Sequence, residues 1–408
     1  MATDATPPPR RGNQLRALFS APLAPYYLII ASVGILIAIG ILMVLSASGV
    51  LAQAKSESPY YYSLRQLLFL AVGVPACVVL SRLKPAMLRS LGWVAWGVAV
   101  LLLILVLTPL GHGYQGNQNW LDIGPIRIQP SEFAKLALIV WGAMVFHQKR
   151  HVLNEPKQLV VPFVPLGGLI LALVLAGKDL GTAVIFVAIM FLMLWLVGTP
   201  VRWLALAGGL GGLLVAAFVA SSDNRMSRIR VFLDPQLNPD LSSQPMAALY
   251  ALASGGWWGL GLGASRQKWG GLKDTAHTDF IFAVIGEELG LFGVLLVVAL
   301  FGLLAYAGLE VAARSDTLFG RVTAGAITGW FLIQAIVNIA VVMHLLPVLG
   351  IPLPFLSSGG SALLANLLGV GVLLALARDT PGARRVRARR ADAKRPRMTS
   401  VMAASRGE

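Results

Sequence analysis

Residues 26–50 read YYLIIASVGILIAIGILMVLSASGV, a run of 25 residues without a charged side chain. A helix that crosses a bilayer needs about 20 consecutive, mostly apolar residues. The run is too long for the core of a signal peptide, and no small-residue cleavage site follows a shorter core. We therefore expect this segment to remain in the protein as a membrane-spanning helix.

Similar runs recur along the whole chain and predict about ten spans. Of the 408 residues, 57% are hydrophobic and 12% are charged, against about 45–50% and about 25% in soluble chains. These values exclude a single soluble core of this size and a disordered chain. We predict an all-α polytopic membrane protein with its membrane domain in residues 26–377. The predicted spans are 26–50, 66–82, 88–110, 132–148, 159–177, 180–198, 203–220, 280–306, 320–343 and 361–377.

Positive charge is concentrated at the ends of the chain. The net charge is +15, and residues 378–408 hold ten Lys and Arg against three acidic residues. An excess of basic residues can indicate binding to nucleic acid or to an anionic membrane surface. Its position outside the apolar runs favours the membrane, so we expect no nucleic-acid partner. Residues 1–25 and 378–408 are predicted to be basic tails, the second a solvated arm that touches anionic lipid.

The positive-inside rule orients the predicted spans. When the N-terminus is placed in the cytoplasm, the short inner loops carry more Lys and Arg than the short outer loops. Both tails are therefore predicted to be cytoplasmic. Residues 221–279 then form one long extracytoplasmic loop between helices 7 and 8.

Two polar segments interrupt the apolar pattern before this loop. Pro130 and Glu132 indicate a helix start with acid in its first turn, and Lys135 lies on the same helical face as Glu132. This pattern fits either a helix cap with a surface ion pair or a lysine presented to an anionic ligand. Lys178 and Asp179 lie between two runs, where charges commonly snorkel to the interface.

The long outer loop contains a glycine-rich stretch, SGGWWGLGLGASRQKW, at residues 254–269. Its tryptophans are typical interface anchors. Glycines beside Arg266 and Lys268 could cradle a pyrophosphate, although the spacing is not that of a P-loop. A phosphate-rich lipid headgroup suits such a loop better than a nucleotide does.

The segment AHTDFIFAVIGEELG at residues 276–290 places carboxylates at and within the eighth span. His277 and Asp279 lie at its mouth. Glu287 and Glu288 follow about two turns later and lie about 100° apart around a helix, so we expect them not to point the same way. Carboxylates within a span indicate either a structural ion pair or a functional site.

Residues 344–361, HLLPVLGIPLPFLSSGGS, hold too many prolines and glycines for a regular helix. Irregular backbone at membrane depth must be buried in protein or line a cavity. The segment is predicted to be either a re-entrant element beside the site or an ordinary surface loop. The single cysteine, Cys77, excludes disulfides within the chain, and the five histidines form no convincing metal cluster, so no metal site is predicted.

Five motifs together resemble the SEDS family, named for shape, elongation, division and sporulation. They occur in the family order and cover nearly the whole membrane part. The resemblance is closer to the division members than to the elongation members. The motifs are QPSEFAKLAL (129–138), KDLGTA (178–183), ALASGGWWGLGLGASRQKW (251–269), AHTDFIFAVIGEELG (276–290) and PVLGIPLPFLSSGG (347–360).

The resemblance implies a ten-span glycosyltransferase that polymerises lipid II into peptidoglycan strands at the outer face of the cytoplasmic membrane. It implies a catalytic role for Asp279. It further implies substrate contacts from residues that lie at this outer face or line the family's central cavity. These are Trp120, Glu132, Lys135, Arg266, Lys268 and His277. The family often has an arginine where this chain has Asn119.

The resemblance also implies partners and a location. We expect lipid II as substrate, a class B penicillin-binding protein as transpeptidase partner and further divisome proteins, at the septum of a bacterial inner membrane. No cofactor is certain, and a divalent cation such as Mg²⁺ or Mn²⁺ is left open. Three alternatives stay open: a lipid II flippase, an elongation-type polymerase, and a scaffold that recruits division proteins through its tails.

Overall fold

The structure, a computed structural model, describes residues 21–55, 58–114, 117–124, 126–151, 161–272 and 275–394. Within these ranges the chain forms fourteen α-helices and one small sheet, in agreement with the predicted all-α class. The helices are α1 (Ala24–Ala54), α2 (Tyr61–Arg82), α3 (Pro85–Ser90), α4 (Gly92–Leu107), α5 (Pro130–Gln148), α6 (Phe163–Ala176), α7 (Leu180–Val197), α8 (Val201–Ala220), α9 (Asp223–Leu233), α10 (Pro239–Gly255), α11 (Ile281–Arg314), α12 (Leu318–Val342), α13 (Gly360–Asp379) and α14 (Pro381–Lys394).

Each of the ten predicted spans overlaps one of these helices. Seven described helices are long and apolar enough to cross a membrane: α1, α2, α7, α8, α11, α12 and α13. Helices α4 and α6 are shorter, with 16 and 14 residues, and α5 carries Glu132 and Lys135 near its start. The count of ten spans therefore stays a prediction.

The middle of the bundle is formed by α5, α12 and α13, the helices with the most continuous burial. Helix α13 packs along α2, and α12 packs against α5, α7 and α11. Helix α8 lies at the periphery, where most of its side chains are exposed. Polar groups on α5 and α12 are therefore enclosed by protein.

A three-stranded antiparallel sheet, which the sequence analysis did not predict, occupies the connection between α4 and α5. Its strands are β1 (Gly111–Tyr114), β2 (Asn117–Ile123) and β3 (Ile126–Ile128), in the order β1-β2-β3. The N–H of Gln118 donates to the carbonyl of Gly177 at 2.9 Å. This bond holds the sheet over the turn between α6 and α7.

Helix α11 is broken at Gly290, where φ is 66° and ψ is −164°. The break leaves backbone groups on both sides without helical partners. The preceding glycine-rich loop supplies the missing hydrogen-bond partners. The N–H groups of Leu260 and Gly261 donate to the carbonyls of Glu287 and Glu288 at 2.9 and 3.0 Å. On the other side, the N–H of Leu291 donates to the carbonyl of Gly256 at 2.9 Å. The glycine-rich loop is therefore fixed to the interrupted helix.

Residues 344–359 join α12 to α13 as irregular backbone that is partly exposed at its start and mostly buried over residues 351–357. Leu353, Phe355 and Leu356 are almost fully enclosed, and Phe355 has a φ of 66°. Of the two predicted alternatives, an ordinary surface loop is therefore wrong for this second half. The segment is tolerated because its backbone groups find partners inside the protein.

The predicted outer loop 221–279 contains the helices α9 and α10, and its position outside the membrane stays a prediction. One further expectation differs from the structure. The basic tail is not a free arm over residues 381–394, which form α14. Ala383 is fully buried, and Arg384 contacts Asp316 and anchors the helix to the bundle. Residues 395–408 lie outside the described residues.

Candidate active site around Asp279

The backbone that carries Asp279 is held by α12 and by the irregular segment 344–359. The carbonyl of Asp279 accepts a hydrogen bond from Asn338 Nδ2 at 2.8 Å, and the carbonyl of Thr278 accepts one from Ser357 Oγ at 2.6 Å. The N–H of Ser358 donates to the carbonyl of His277 at 2.9 Å. These three bonds fix the position from which the Asp279 carboxylate projects.

The carboxylate of Asp279 is half-buried beside Gly350, where a Cβ atom would lie 3.8 Å from Oδ2. Burial raises the pKa of Asp279 to about 6, and the attraction of the Arg228 guanidinium opposes the rise. A carboxyl with a pKa in this range is mostly ionised at neutral pH and can accept a proton efficiently. Asp279 therefore has the properties of a general base.

Arg228 was not among the predicted site residues, although the sequence places it in an arginine cluster of the outer loop. Its Nη1 lies 3.5 Å from the carbonyl of Val348. Arg225 lies three residues earlier on α9, and both arginines line a cavity of about 410 Å³ together with Lys178. The spacing on one helical face was visible in the sequence, but the approach of α9 to Asp279 was not.

Asp179 lies in the wall of the same cavity, but its carboxylate is occupied. It caps α7 by accepting from the N–H and the hydroxyl of Thr182 at 3.0 and 2.8 Å. It also accepts from Asn119 Nδ2 at 3.1 Å and Gln129 Nε2 at 3.2 Å. Asn119, which stands where the family often has arginine, thus joins the sheet to α7. The cavity therefore retains a cationic character from Lys178 and the two arginines of α9.

Glu132 and Lys135 form a buried ion pair, with 2.8 Å between Lys135 Nζ and Glu132 Oε1. Lys135 is 1% exposed, and its Nζ also donates to Gln334 Oε1 at 3.0 Å and lies 5.1 Å from the ring centre of Trp330. The prediction of a surface ion pair is wrong, because α5 lies in the middle of the bundle. A substrate contact from either residue stays a prediction.

The buried pair is linked to the irregular segment through α12. Gln334 Nε2 donates to the carbonyl of Pro352 at 3.0 Å, and one turn later Asn338 Nδ2 donates to the carbonyl of Ile351 at 2.8 Å. Asn338 is also the residue that holds the backbone of Asp279. Lys135 is therefore connected to the site by two hydrogen bonds.

Lys268 is buried in a different place from Asp279. Its Nζ pairs with Glu288 Oε1 at 3.0 Å and donates to the carbonyl of Gly263 at 2.7 Å and to Ser46 Oγ at 3.2 Å. These contacts use the three hydrogens of the ammonium group. Glu288 lies nine residues after Asp279, or roughly 13 Å along a helix. The structure therefore does not bring Lys268 to Asp279.

Glu287 and Glu288 both contact the loop that carries Lys268. Glu287 accepts from Ser265 Oγ at 2.5 Å and from the N–H of Arg266 at 2.9 Å. Glu288 accepts from the N–H of Gly263 at 3.0 Å. Side chains that point in different directions can share one loop because the loop wraps around the helix end, so their divergence stays a prediction. We call the contacts of Glu287 and Glu288 with residues 263–268 the carboxylate clasp. The side chain of Arg266, a predicted substrate contact, is exposed.

The two remaining predicted residues lie at the edges of the site. His277 is buried against Tyr62, with 4.7 Å between the ring centres. Trp120 is half-buried on β2, two residues after the anchor of the sheet at Gln118. Neither arrangement tests a contact with substrate, and both roles stay predictions.

Metal ligands do not cluster in the part of the chain that the structure describes. No three His, Cys, Asp or Glu side chains in those ranges are grouped closely enough to hold an ion.

The comparisons with known proteins agree with this arrangement. The family model described as "Cell cycle protein" (FtsW/RodA/SpoVE) matches residues 26–381. The "Probable peptidoglycan glycosyltransferase FtsW" of Mycobacterium tuberculosis is 37% identical over 378 residues, which cover 92% of this chain and 72% of that protein.

Two solved structures share the fold. One belongs to a peptidoglycan synthase complex described as coordinating polymerization and crosslinking, with a TM-score of 0.72, 28% identity, and coverage of 86% of this chain and 97% of the other. The rod shape determining protein RodA of Thermus thermophilus has a TM-score of 0.63 and 27% identity, with 86% and 96% covered. The predicted SEDS resemblance and the polytopic helical fold are thereby confirmed: the chain belongs to the FtsW/RodA/SpoVE family.

Proposed function

We propose that this chain is a peptidoglycan glycosyltransferase that polymerises lipid II at the outer face of the cytoplasmic membrane. The relatives that match most of its length carry this activity in their names. The observation that carries the mechanism is the partly buried Asp279 beside Arg228 and the cationic cavity. A role in septal synthesis during division follows from the division-type relatives.

The reaction joins a sugar hydroxyl of the acceptor to the anomeric carbon of a donor held on a polyprenyl pyrophosphate. Asp279 accepts the proton of the attacking hydroxyl while the hydroxyl oxygen forms the new bond to the anomeric carbon. The bond between that carbon and the pyrophosphate oxygen breaks, and its electron pair leaves with the pyrophosphate. A β-linkage formed from an α-pyrophosphate inverts the anomeric centre.

Charge develops on the leaving pyrophosphate, and fixed cations stabilise it best in a site that excludes water. Arg228, Arg225 and Lys178 line one cavity next to Asp279 and are our candidates for this role. The sequence instead favoured Lys135, Arg266 and Lys268. Lys135 and Lys268 already hold buried carboxylate partners, so α9 is the better source of these cations.

Lys135 is better described as a positioning residue. Its bond to Gln334 stabilises the side chain of α12 that holds Pro352, and Asn338 on the next turn holds Asp279. Loss of the lysine would leave Glu132 buried without its charge partner. We expect the irregular segment beside Asp279 to lose its fixed position as a result.

We further propose the partners and the location expected for a division enzyme. A single-span class B penicillin-binding protein would crosslink the strands that this chain polymerises, with other divisome proteins at the septum of a bacterial inner membrane. A solved relative in a complex for polymerization and crosslinking supports this arrangement. A divalent cation bound with the substrate phosphates would help to neutralise the leaving group.

The decisive experiment measures glycan strands made from lipid II by the purified full chain with its transpeptidase partner. Asp279→Asn keeps the size of the side chain but removes the base, and we expect it to abolish strand formation. Asp122→Asn is the matched control, because Asp122 is an exposed carboxylate on the sheet whose partners are Arg127 and His112. We expect the control to retain activity.

Two results would contradict the proposal. Strand formation by Asp279→Asn at the parent rate would remove Asp279 from catalysis. If no variant or partner yields strands while labelled lipid II crosses liposomes that contain the parent chain, the protein is a transporter.

The same strand-formation assay tests the proposed role of α9. Arg228→Gln should lower the turnover rate by roughly 10²-fold or more.

A further inference from the structure

A groove lies between α1, α2 and α13 at the end of the bundle where α1 begins and α13 ends. It encloses about 570 Å³, a volume within the usual range for ligand sites, about 300–1,000 Å³. We call it the inner groove. It is separate from the site of Asp279, and none of the residues assigned above to catalysis lines it.

The walls of the inner groove are apolar along their length. On α1 the lining residues run from Leu23 to Ile37, which corresponds to roughly 20 Å along a helix. Val74 and Val78 of α2 form part of the facing wall, and both are more than 40% exposed. Gly34 opens the groove, since a Cβ atom there would meet no atom within 4 Å. The shape and the chemistry fit one extended acyl chain.

The mouth of the inner groove is cationic. Arg82 at the end of α2, Arg378 at the end of α13 and Arg387 of α14 all line it. Arg378 Nη1 donates to the carbonyl of Ser81 at 3.0 Å, which fixes one guanidinium at the mouth. An adjoining cavity of about 460 Å³ shares these three arginines and adds Lys84, Arg89 and one carboxylate, Asp379, which is attracted by Arg384 and Arg387.

These charges are in excess over nearby carboxylates. Arg384 pairs with Asp316 and lies 4.0 Å from Asp379. Among the described residues, by contrast, no carboxylate lies within 4.0 Å of the guanidinium groups of Arg82 and Arg387. Paired arginines therefore hold α14 in place, while the others present positive charge at the mouth.

We propose that the inner groove binds one anionic phospholipid of the inner leaflet. Its phosphate lies between Arg82 and Arg387, and one acyl chain follows α1 past Gly34. Basic pockets between membrane helices on the cytoplasmic side are suited to anionic headgroups. The chain's own N-terminal segment is a poor alternative occupant, because residues 1–20 carry three arginines and one aspartate and would be repelled. Lipid binding would thereby tie the basic tail helix to α2.

The test uses native mass spectrometry of the purified full chain with equal amounts of phosphatidylglycerol and phosphatidylcholine. We expect a preferred phosphatidylglycerol adduct on the parent chain. The Arg82→Gln/Arg387→Gln double variant should bind it roughly 30-fold more weakly, from the attraction of two basic side chains to anionic lipid. The matched control is Arg150→Gln/Arg202→Gln, which removes two exposed arginines outside the groove and should bind like the parent.

A second variant tests the groove without changing any charge. Gly34→Leu places a side chain in the acyl path, where its Cβ meets no atom within 4 Å, and should weaken phosphatidylglycerol binding on the order of tenfold. Gly97→Leu on α4 is its control, because Gly97 is exposed and equally free of neighbours. Monodisperse elution and an unchanged helical circular dichroism spectrum verify the fold of each variant.

Three outcomes would overturn the proposal. Parent-like binding of phosphatidylglycerol by both the arginine double variant and Gly34→Leu would show that the lipid binds elsewhere. Equal adducts of the two lipids would show that the groove does not select anionic headgroups. If soluble glycerol phosphate competes fully and Gly34→Leu has no effect, the arginines form a free-phosphate site rather than a lipid site.

Discussion

Replacing Lys268 with methionine separates its predicted substrate role from its role in the carboxylate clasp. In the structure Lys268 is the charge partner of Glu288, and both side chains are buried. Removing one member of a buried pair leaves an uncompensated charge, which costs about 3–5 kcal/mol. For a chain of this length we expect the apparent Tm in detergent to fall by about 5 °C.

The double variant Lys268→Met/Glu288→Gln removes the stranded charge. We expect it to recover about half of the lost stability. Recovery is incomplete because the backbone N–H groups of Gly263 and Ser265 donate to the carboxylate. An amide offers a single acceptor oxygen, so one donor is left poorly satisfied at a cost of about 1–3 kcal/mol. Arg266→Met, an exposed neighbour in the same loop, should leave the Tm within about 1 °C of the parent.

Thermal unfolding monitored by size-exclusion chromatography gives the Tm of each variant, and strand formation from lipid II gives the activity. If the clasp is structural, the double variant regains activity together with stability. The reasoning is refuted if Lys268→Met unfolds like the parent but makes no strands, and the double variant does not restore them. Lys268 would then contact the substrate, as the sequence analysis predicted.

The remaining predictions concern the site and two backbone positions. Polymerisation should fall as pH drops through about 6, because Asp279 must be ionised to act as a base; a rate that is flat from pH 5 to 8 would contradict this. Arg228→Gln should move the midpoint of that profile above 6, since the guanidinium lowers the pKa of Asp279; an unchanged midpoint would separate the two residues. Gly290→Ala should lower the Tm through a loss of about 2–3 kcal/mol, because its φ of 66° with a ψ of −164° strains any side chain; a parent-like melt would refute the strain. Asp179→Ala should cost about 2 kcal/mol, since it removes the cap that Thr182 donates to; Asp179→Asn should retain part of that stability in the same melt.

The apolar runs and the candidate carboxylate could be picked out because their signals are local. A bilayer requires a continuous apolar segment, and that requirement is visible in the sequence as it stands at residues 26–50. Asp279 stands within a run of residues specific enough to be recognised without knowing its neighbours in space. The structure places Asp279 just before α11 on a fixed backbone, and its catalytic role stays a prediction.

The electrostatic partners could not be predicted, because they come from distant parts of the chain. Arg228 influences Asp279 electrostatically only because α9 folds back over the irregular segment near Val348. Lys268 carries the positive charge expected of a pyrophosphate ligand. Its loop wraps around α11, however, and Lys268 therefore pairs with Glu288. The sheet was missed because its strands are short, polar and glycine-rich, without a strong alternation of apolar residues.

By itself the sequence determined the membrane environment, the helical class and the family, and it predicted Asp279 as the reacting carboxylate. Each of these depends on composition, on the length of apolar runs or on a contiguous motif. Only the tertiary structure decided which cations face Asp279 and which are held in buried pairs. The physical reason is that a charge acts on whatever lies within a few ångströms of it, and the break at Gly290 and the return of α9 set those neighbours.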